Sequence, residues 1–255
     1  MSFKVVIPAR YASTRLPAKP LLEIGGRPMI QWVIDAAAAS RADEVLVATD
    51  DSRIAQAAID SRQPQRSVAV LTRAEHQSGT DRIAEVAALR GWSERTIVVN
   101  VQGDEPQLPP QIIDQVATLL ERHPDADIAT LCTPIVSLHE FLDPNVVKVV
   151  MADSGAALYF SRAPIPWHRD GATQGLASQT SMQGAQRHLG LYAYRVEALR
   201  RLTQIAPSSL ETTEKLEQLR ALQAGMRIVV EVATALPGIG VDTEQDLERV
   251  RAGLV

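Results

Sequence analysis

The chain has 255 residues, a formal net charge of −4, 45% apolar residues and 22% charged residues. This length and balance describe a globular protein with a substantial core, built as one large α/β domain or two smaller ones. The acidic balance excludes a bulk basic field for nucleic acid or acidic membrane, and the single cysteine, Cys132, excludes an internal disulfide and a multi-cysteine metal site.

Lys4–Ala9 is the first predicted strand, and it runs into a loop that carries Arg10, Arg15 and Lys19. Arginine offers a planar fork of donors and lysine a compact point charge, so such a loop suits a polyphosphate. Its sequence is neither Gly-x-x-x-x-Gly-Lys-Ser/Thr nor Gly-x-Gly-x-x-Gly, which sets it apart from the common nucleotide fingerprints. Further strands are expected at Glu44–Thr49, Ser67–Leu71 and Thr96–Val101, each rich in Val or Ile as in parallel strands buried on both faces. Helical spacing of apolar residues marks Met29–Ser40, Ser52–Ser61, Thr80–Arg90 and Gln111–Arg122. The alternation implies a doubly wound sheet, in which ligands bind beyond the carboxyl ends of the strands. Cys132 lies among Ile128, Ala129, Leu131 and Ile135 and reads as a buried structural thiol.

The second half changes character. Strands at Val146–Met151, Ala156–Phe160 and His188–Arg195 have little helix between them, and Asp170–Gln186 is a long polar segment without periodicity. This reads as an antiparallel insertion, roughly residues 140–195, within one domain spanning 1–255, and it suits a lid or a dimerisation flap. Helices are expected at Val196–Gln204 and Glu211–Ala224, a strand at Arg227–Val232 and a last helix from about Thr243. No apolar stretch approaches the roughly 20 residues that span a bilayer. The apolar start is broken by Pro8 and Arg10, unlike a signal peptide, so a cytoplasmic enzyme is expected.

Candidate chemistry gathers where strands end. Asp104, in Asn100-Val101-Gln102-Gly103-Asp104-Glu105-Pro106, is placed either to hold Mg²⁺ or to cap the following segment. Asp242 either caps the last helix, with Gln245 completing a capping box, or supplies a second carboxylate. Ser78-Gly79-Thr80-Asp81-Arg82 opens a helix and could meet a phosphate or a base edge, or provide an ordinary N-cap. Asp51 reads as a cap, and Ser208 with Glu211 as a capping box. Glu214, Glu217, Gln218 and Ala221 form a polar stripe that by itself reads as solvated. His188 and Tyr192 share one face of an extended run, where a lone histidine is ordinarily structural.

In chain order, Ile-Pro-Ala-Arg-Tyr-Ala-Ser-Thr-Arg-Leu-Pro-Ala-Lys-Pro-Leu (7–21), His-Gln-Ser-Gly-Thr-Asp-Arg (76–82), Asn-Val-Gln-Gly-Asp-Glu-Pro (100–106), Tyr-Phe-Ser-Arg-Ala-Pro-Ile-Pro-Trp (159–167), Arg-His-Leu-Gly-Leu-Tyr-Ala-Tyr-Arg (187–195), Leu-Glu-Gln-Leu-Arg (216–220) and Pro-Gly-Ile-Gly-Val-Asp-Thr (237–243) resemble the 3-deoxy-manno-octulosonate (Kdo) cytidylyltransferases, or CMP-Kdo synthetases. The likeness runs from Val5 almost to the C-terminus. It implies a Rossmann-like nucleotidyltransferase fold, a mostly parallel sheet flanked by helices with an inserted antiparallel dimerisation region. It also implies CTP and Kdo as substrates, Mg²⁺ dependence, a homodimer and a role in activating Kdo for lipopolysaccharide. By position, Arg10, Arg15 and Lys19 match triphosphate-binding residues, and Ser78, Gly79, Thr80 and Arg82 the segment around the nucleotide. Asp104 and Asp242 match metal-binding aspartates, Asp104 also lying by the nucleotide, and with Lys19 and Arg10 they form the expected catalytic set. Gln102, Arg162, His188, Tyr192, Glu217 and Gln218 match the sugar-acid site. Ala18 stands where many members have Gly, which stiffens the loop. Cytidylyltransferases for sialic acid or 8-amino-Kdo and a non-catalytic nucleotide sensor are the rival readings. A glycosyltransferase is disfavoured because the fourth strand ends without Asp-x-Asp.

Overall fold

In β1 (Phe3–Ala9), Phe3, Val5, Ile7 and Ala9 enter one buried cluster and Val6 enters another. A strand so covered on both faces must read as a near-continuous apolar run. The computed structural model describes residues 2–12, 16–62, 67–172 and 174–254.

β4 (Glu44–Thr49) and β5 (Ser67–Leu71) extend the sheet in parallel on one side of β1, and β6 (Ile97–Asn100) pairs in parallel on the other. Beyond β6 runs β10 (Gln186–Arg195), antiparallel to both β6 and β7 (Ile128–Pro134), and β11 (Ile228–Val232) closes that edge parallel to β7. The order is therefore β11-β7-β10-β6-β1-β4-β5. The hairpin of β8 (Lys148–Met151) and β9 (Ala157–Ser161) joins through β8, which pairs with the first residues of β10. A separate two-stranded hairpin is made by β2 (Glu23–Ile24) and β3 (Arg27–Pro28).

Helices α1 (Met29–Ala38), α2 (Ser52–Ile59) and α4 (Pro110–Arg122) cover one face of the sheet. The other is covered by α3 (Gly79–Leu89), α6 (Val196–Gln204) and α8 (Gln218–Gln223), the last preceded by α7 (Ser209–Glu214). The insertion has its own small cluster around Phe141 of α5 (Leu138–Leu142). A fourth cluster positions the C-terminal helix: Val241, with Leu247 and Val250 of α9 (Glu244–Leu254), packs against Leu16, Ile24 and Met29. Burying those side chains together draws the C-terminal helix onto the loop that follows β1.

The mostly parallel, helix-flanked sheet with an antiparallel insertion agrees with expectation. The β2–β3 hairpin and α5 are additions to the expected elements, and two further differences bear on the site and core. Residues 128–134 form a central strand, and Cys132 on it is fully buried, burial pushing its thiol up to about 11. The single helix expected at Glu211–Ala224 is two, because Lys215 adopts the left-handed conformation (φ 55°) and ends α7.

Candidate active site

After β1 the chain moves outward to β4 and β5, then crosses back to β6. The carboxyl ends of β1 and β6 therefore flank the point where strand order reverses, the usual ligand crevice of such sheets. Arg10 and Lys19 follow β1, and Gln102 and Asp104 follow β6. Arg15 lies outside the described residues.

The centre of the crevice is an ion-pair junction. Lys19 Nζ donates to Asp104 Oδ2 at 2.6 Å and to Asp242 Oδ1 at 3.1 Å. Backbone bonds support it: Val241 N–H donates to the Asp104 carbonyl at 2.9 Å, and Ala18 N–H to the Tyr11 carbonyl at 3.1 Å. Asp242 is not the helix cap. Thr243 takes that role, its hydroxyl accepting from the Asp246 N–H at 3.2 Å while the Asp246 carboxylate accepts from the Thr243 N–H at 2.9 Å. The capping box sits one residue beyond the expected position, and the Asp242 carboxylate reaches Lys19 instead.

Ala18 holds φ 55° and ψ 26°, a left-handed conformation that a Cβ disfavours and glycine adopts freely. The sharp turn there delivers Lys19 to the two aspartates, which gives a physical reason for a Gly-or-small position in this loop.

Arg10 is half-buried and its Nη2 has no hydrogen-bond partner among the described residues. Burial and the nearby Arg82 both lower its pKa, while Asp50 and Asp81 offset them. An arginine with an uncommitted N–H, close to a second arginine, is suited to an anion. Arg82 itself is 0% exposed, pairs with Asp50 at 3.0 Å and donates to Thr72. Its guanidinium is committed to these buried partners and has no exposed surface. Ser78 is the N-cap of α3, in a full capping box with Asp81. Gly79 is needed because a Cβ there would lie 3.2 Å from Pro8 Cγ, so its lack of a side chain brings α3 close to the end of β1.

Two cavities meet at Gln102, which lines both. The first encloses about 70 Å³ between Glu105, Arg187, His188 and the Pro237–Gly240 segment. Burial, with Asp104 adding, pushes the Glu105 carboxyl up to about 7. The His188 ring contacts Phe160 and Tyr192, its Nε2 lies 3.0 Å from Thr130 Oγ1, and burial pushes its pKa down to about 3. It is a neutral ring at physiological pH. The second cavity, about 120 Å³, is lined by Thr80, Gln102, Tyr192, Glu217 and Gln218, with Asn100 at its wall. Thr80 Oγ1 donates to Glu217 Oε2 at 2.6 Å, and burial raises the Glu217 pKa.

Four of the six expected sugar-site residues thus share one chamber, and His188 borders its neighbour. The α7–α8 break places Glu217 and Gln218 there, replacing the solvated stripe expected of one straight helix. Arg162 lines neither cavity. Its Nε donates to the Glu214 carbonyl at 2.7 Å and its Nη1 to the Pro144 carbonyl at 2.9 Å, fastening the insertion to α7. Glu105, Arg187 and Asn100 were not expected in the site; the signal for the last was a polar residue in an otherwise apolar strand.

Residues 4–228 match the cytidylyltransferase family. The chain is 57% identical, over 98% of its length and 98% of the relative's, to the 3-deoxy-manno-octulosonate cytidylyltransferase of Thioalkalivibrio sulfidiphilus. It is 52% identical to that of Nitrosococcus oceani, over all of this chain and 97% of the relative. The chain belongs to the 3-deoxy-manno-octulosonate cytidylyltransferase family. A solved CMP:2-keto-3-deoxy-manno-octonic acid synthetase complexed with CTP superposes with a TM-score of 0.86 at 42% identity, covering 99% of this chain and 98% of that one. A cytidylyltransferase of Leptospira borgpetersenii, 16% identical with a TM-score of 0.61, covers 98% of this chain and 85% of that one and shares the fold.

Two outcomes follow from the geometry of this cytidylyltransferase. Ala18→Gly relieves the left-handed strain of about 1–2 kcal/mol, partly offset by glycine's greater chain entropy, for a net gain of about 0.5–1 kcal/mol in urea unfolding; a loss would contradict the strained turn. The depressed His188 pKa, about 3 against the ordinary value of roughly 6.5, stabilises the fold above the ordinary value. That contribution is lost as pH falls toward 3. Stability measured from pH 6.5 to 4 is therefore expected to fall less steeply in His188→Gln than in the parent, and equal slopes would contradict a buried neutral ring.

Proposed function

We propose that the protein transfers CMP from CTP to the anomeric 2-hydroxyl of Kdo, giving CMP-Kdo and pyrophosphate, and so activates Kdo for lipopolysaccharide assembly. One observation carries the reading. A cation after β1 and carboxylates after β6 and before α9 meet in a single crevice, in a chain more than half identical along its length to proteins named for this activity.

The uncommitted Nη2 of Arg10 and the Lys19 ammonium are suited to phosphate oxygens of the nucleotide. Held there, they stabilise charge on the α-phosphate and on the departing pyrophosphate. The 2-hydroxyl gives up its proton to solvent water and its oxygen forms the bond to the α-phosphorus as the bond to the bridging oxygen of the pyrophosphate breaks. Gln102, Tyr192, Glu217 and Gln218 orient the sugar acid so that this attack is in line, which converts an encounter into a near-unimolecular step. His188, neutral and hydrogen-bonded to Thr130, serves as a wall and polar contact and is no proton reservoir at neutral pH.

Mg²⁺ belongs to the same proposal. Asp104 and Asp242 already hold a cation between them, the Lys19 ammonium, so the donor set fits a small hard ion. Among the described residues no group of three or more His, Cys, Asp or Glu forms a complete protein cage. Two carboxylates completed by phosphate oxygens and waters are the usual magnesium arrangement. Bound there, the ion would lower the hydroxyl's pKa and offset phosphate charge. In this reading Lys19 is the internal counter-ion of the seat and exchanges its carboxylates for phosphate when the substrates arrive.

The expected homodimer would use the insertion, where Leu158, Trp167 and Leu176 are exposed. Among the described residues no helix is long and apolar enough to cross a membrane, and a cytoplasmic location suits water-soluble substrates.

Pyrophosphate release tests the proposal. Release is expected to require CTP and Kdo together, with sialic acid failing to substitute. Asp104→Asn and Asp242→Asn are each expected to lower turnover by about a hundredfold with little change in CTP affinity. Turnover with sialic acid but not Kdo, or parental turnover in both variants, would overturn the assignment.

A further inference from the structure

Asn100 ends β6, whose other residues are Ile97, Val98 and Val99. It is 4% exposed and lies opposite Tyr192 in the antiparallel register with β10. Side chains alternate along a strand, so Asn100 shares the face of Val98, toward α3, α6 and α8. There it lines the 120 Å³ chamber with Thr80, Gln102, Tyr192, Glu217 and Gln218. Its buried carboxamide oxygen has no hydrogen-bond partner among the described residues. Thr80 Oγ1, on the same wall, donates to Glu217.

A buried acceptor without a donor is unfavourable, and an apolar residue of similar size would avoid the loss. The arrangement becomes favourable when a ligand brings the missing donor. A sugar hydroxyl does so, since it donates through its proton while its oxygen remains an acceptor for neighbouring groups. The side chain is also neutral. An aspartate here would offer the same oxygen but add negative charge beside Glu217, in a chamber meant for an anionic substrate.

We propose that Asn100 is a specificity-determining residue of the sugar-acid pocket, its carboxamide oxygen accepting a hydrogen bond from one hydroxyl of the bound sugar acid. The proposal rests on reading the chamber as the Kdo site. It assigns the end of β6 a direct part in recognition, next to Gln102 and on the same strand-to-loop segment that continues to Asp104.

Steady-state kinetics of Asn100→Ala with CTP and Kdo varied in turn tests it. The KM for Kdo is expected to rise about tenfold or more, with the KM for CTP within about twofold of the parent. Asn100→Asp, nearly isosteric, is expected to weaken Kdo at least as much through its charge. A set of Kdo analogues each lacking one hydroxyl supplies a readout that a structural role would not move. The parent is expected to discriminate against one of them, and Asn100→Ala to accept that analogue as well as it accepts Kdo. Should Asn100→Ala fail to fold, Asn100→Leu, which keeps the volume and removes the acceptor, carries the same comparison. An unchanged KM for Kdo in a folded variant, or equal rises in both KM values with undiminished analogue discrimination, would overturn the role of Asn100 while leaving the Kdo reading intact. No product from CTP and Kdo in the parent would instead overturn the reading of the chamber.

Discussion

The contact of one ammonium with two carboxylates organises this molecule's functional end. Lys19 lies 85 residues from Asp104 and 223 from Asp242 in sequence, yet its Nζ is within hydrogen-bond distance of both. Asp104 and Asp242 brought together without a cation would repel. Lys19 removes that penalty in the free protein by pairing with both. Such partly buried pairs are weak evidence for stability, because desolvation offsets much of the attraction. Their value here is geometric: three distant segments are registered at one point.

Apolar packing makes that registration possible. Leu16, just before Lys19, and Val241, just before Asp242, are buried in one cluster with Ile24, Met29, Leu247 and Val250. The charged residues ride on buried neighbours, so the hydrophobic effect sets their positions and electrostatics selects their partners. The main sheet adds the third member, since Asp104 follows β6 at the reversal of strand order and its carbonyl is bonded to the Val241 N–H. The chamber beside Gln102 depends on a different device, the Lys215 break that turns Glu217 and Gln218 inward.

What could be read from the sequence follows from how local each signal is. Strands β1, β4, β5 and β6 were visible because two covered faces leave only apolar residues. The β7 run Ile128–Pro134 is equally apolar, but a short buried run carries no period that separates strand from helix. The α7–α8 break was invisible because Lys215 takes a left-handed φ without the Gly or Asn that ordinarily announces one. At Asp242-Thr243 two adjacent residues could each cap α9, and only the observed Thr243–Asp246 bonds decide between them. Arg82 matches a nucleotide-binding pattern by type, and the structure buries it fully in a pair with Asp50. Burial of this kind is a tertiary property that spacing does not encode.

Mn²⁺ binding to the nucleotide-free protein, followed by electron paramagnetic resonance, tests the Lys19 junction most directly. If Lys19 is the internal counter-ion of a two-aspartate metal seat, Lys19→Met binds Mn²⁺ about tenfold or more tightly than the parent, because a like charge has left the seat. Asp104→Asn and Asp242→Asn are then expected to lose that binding. Equal Mn²⁺ affinity in the parent and all three variants would contradict the account.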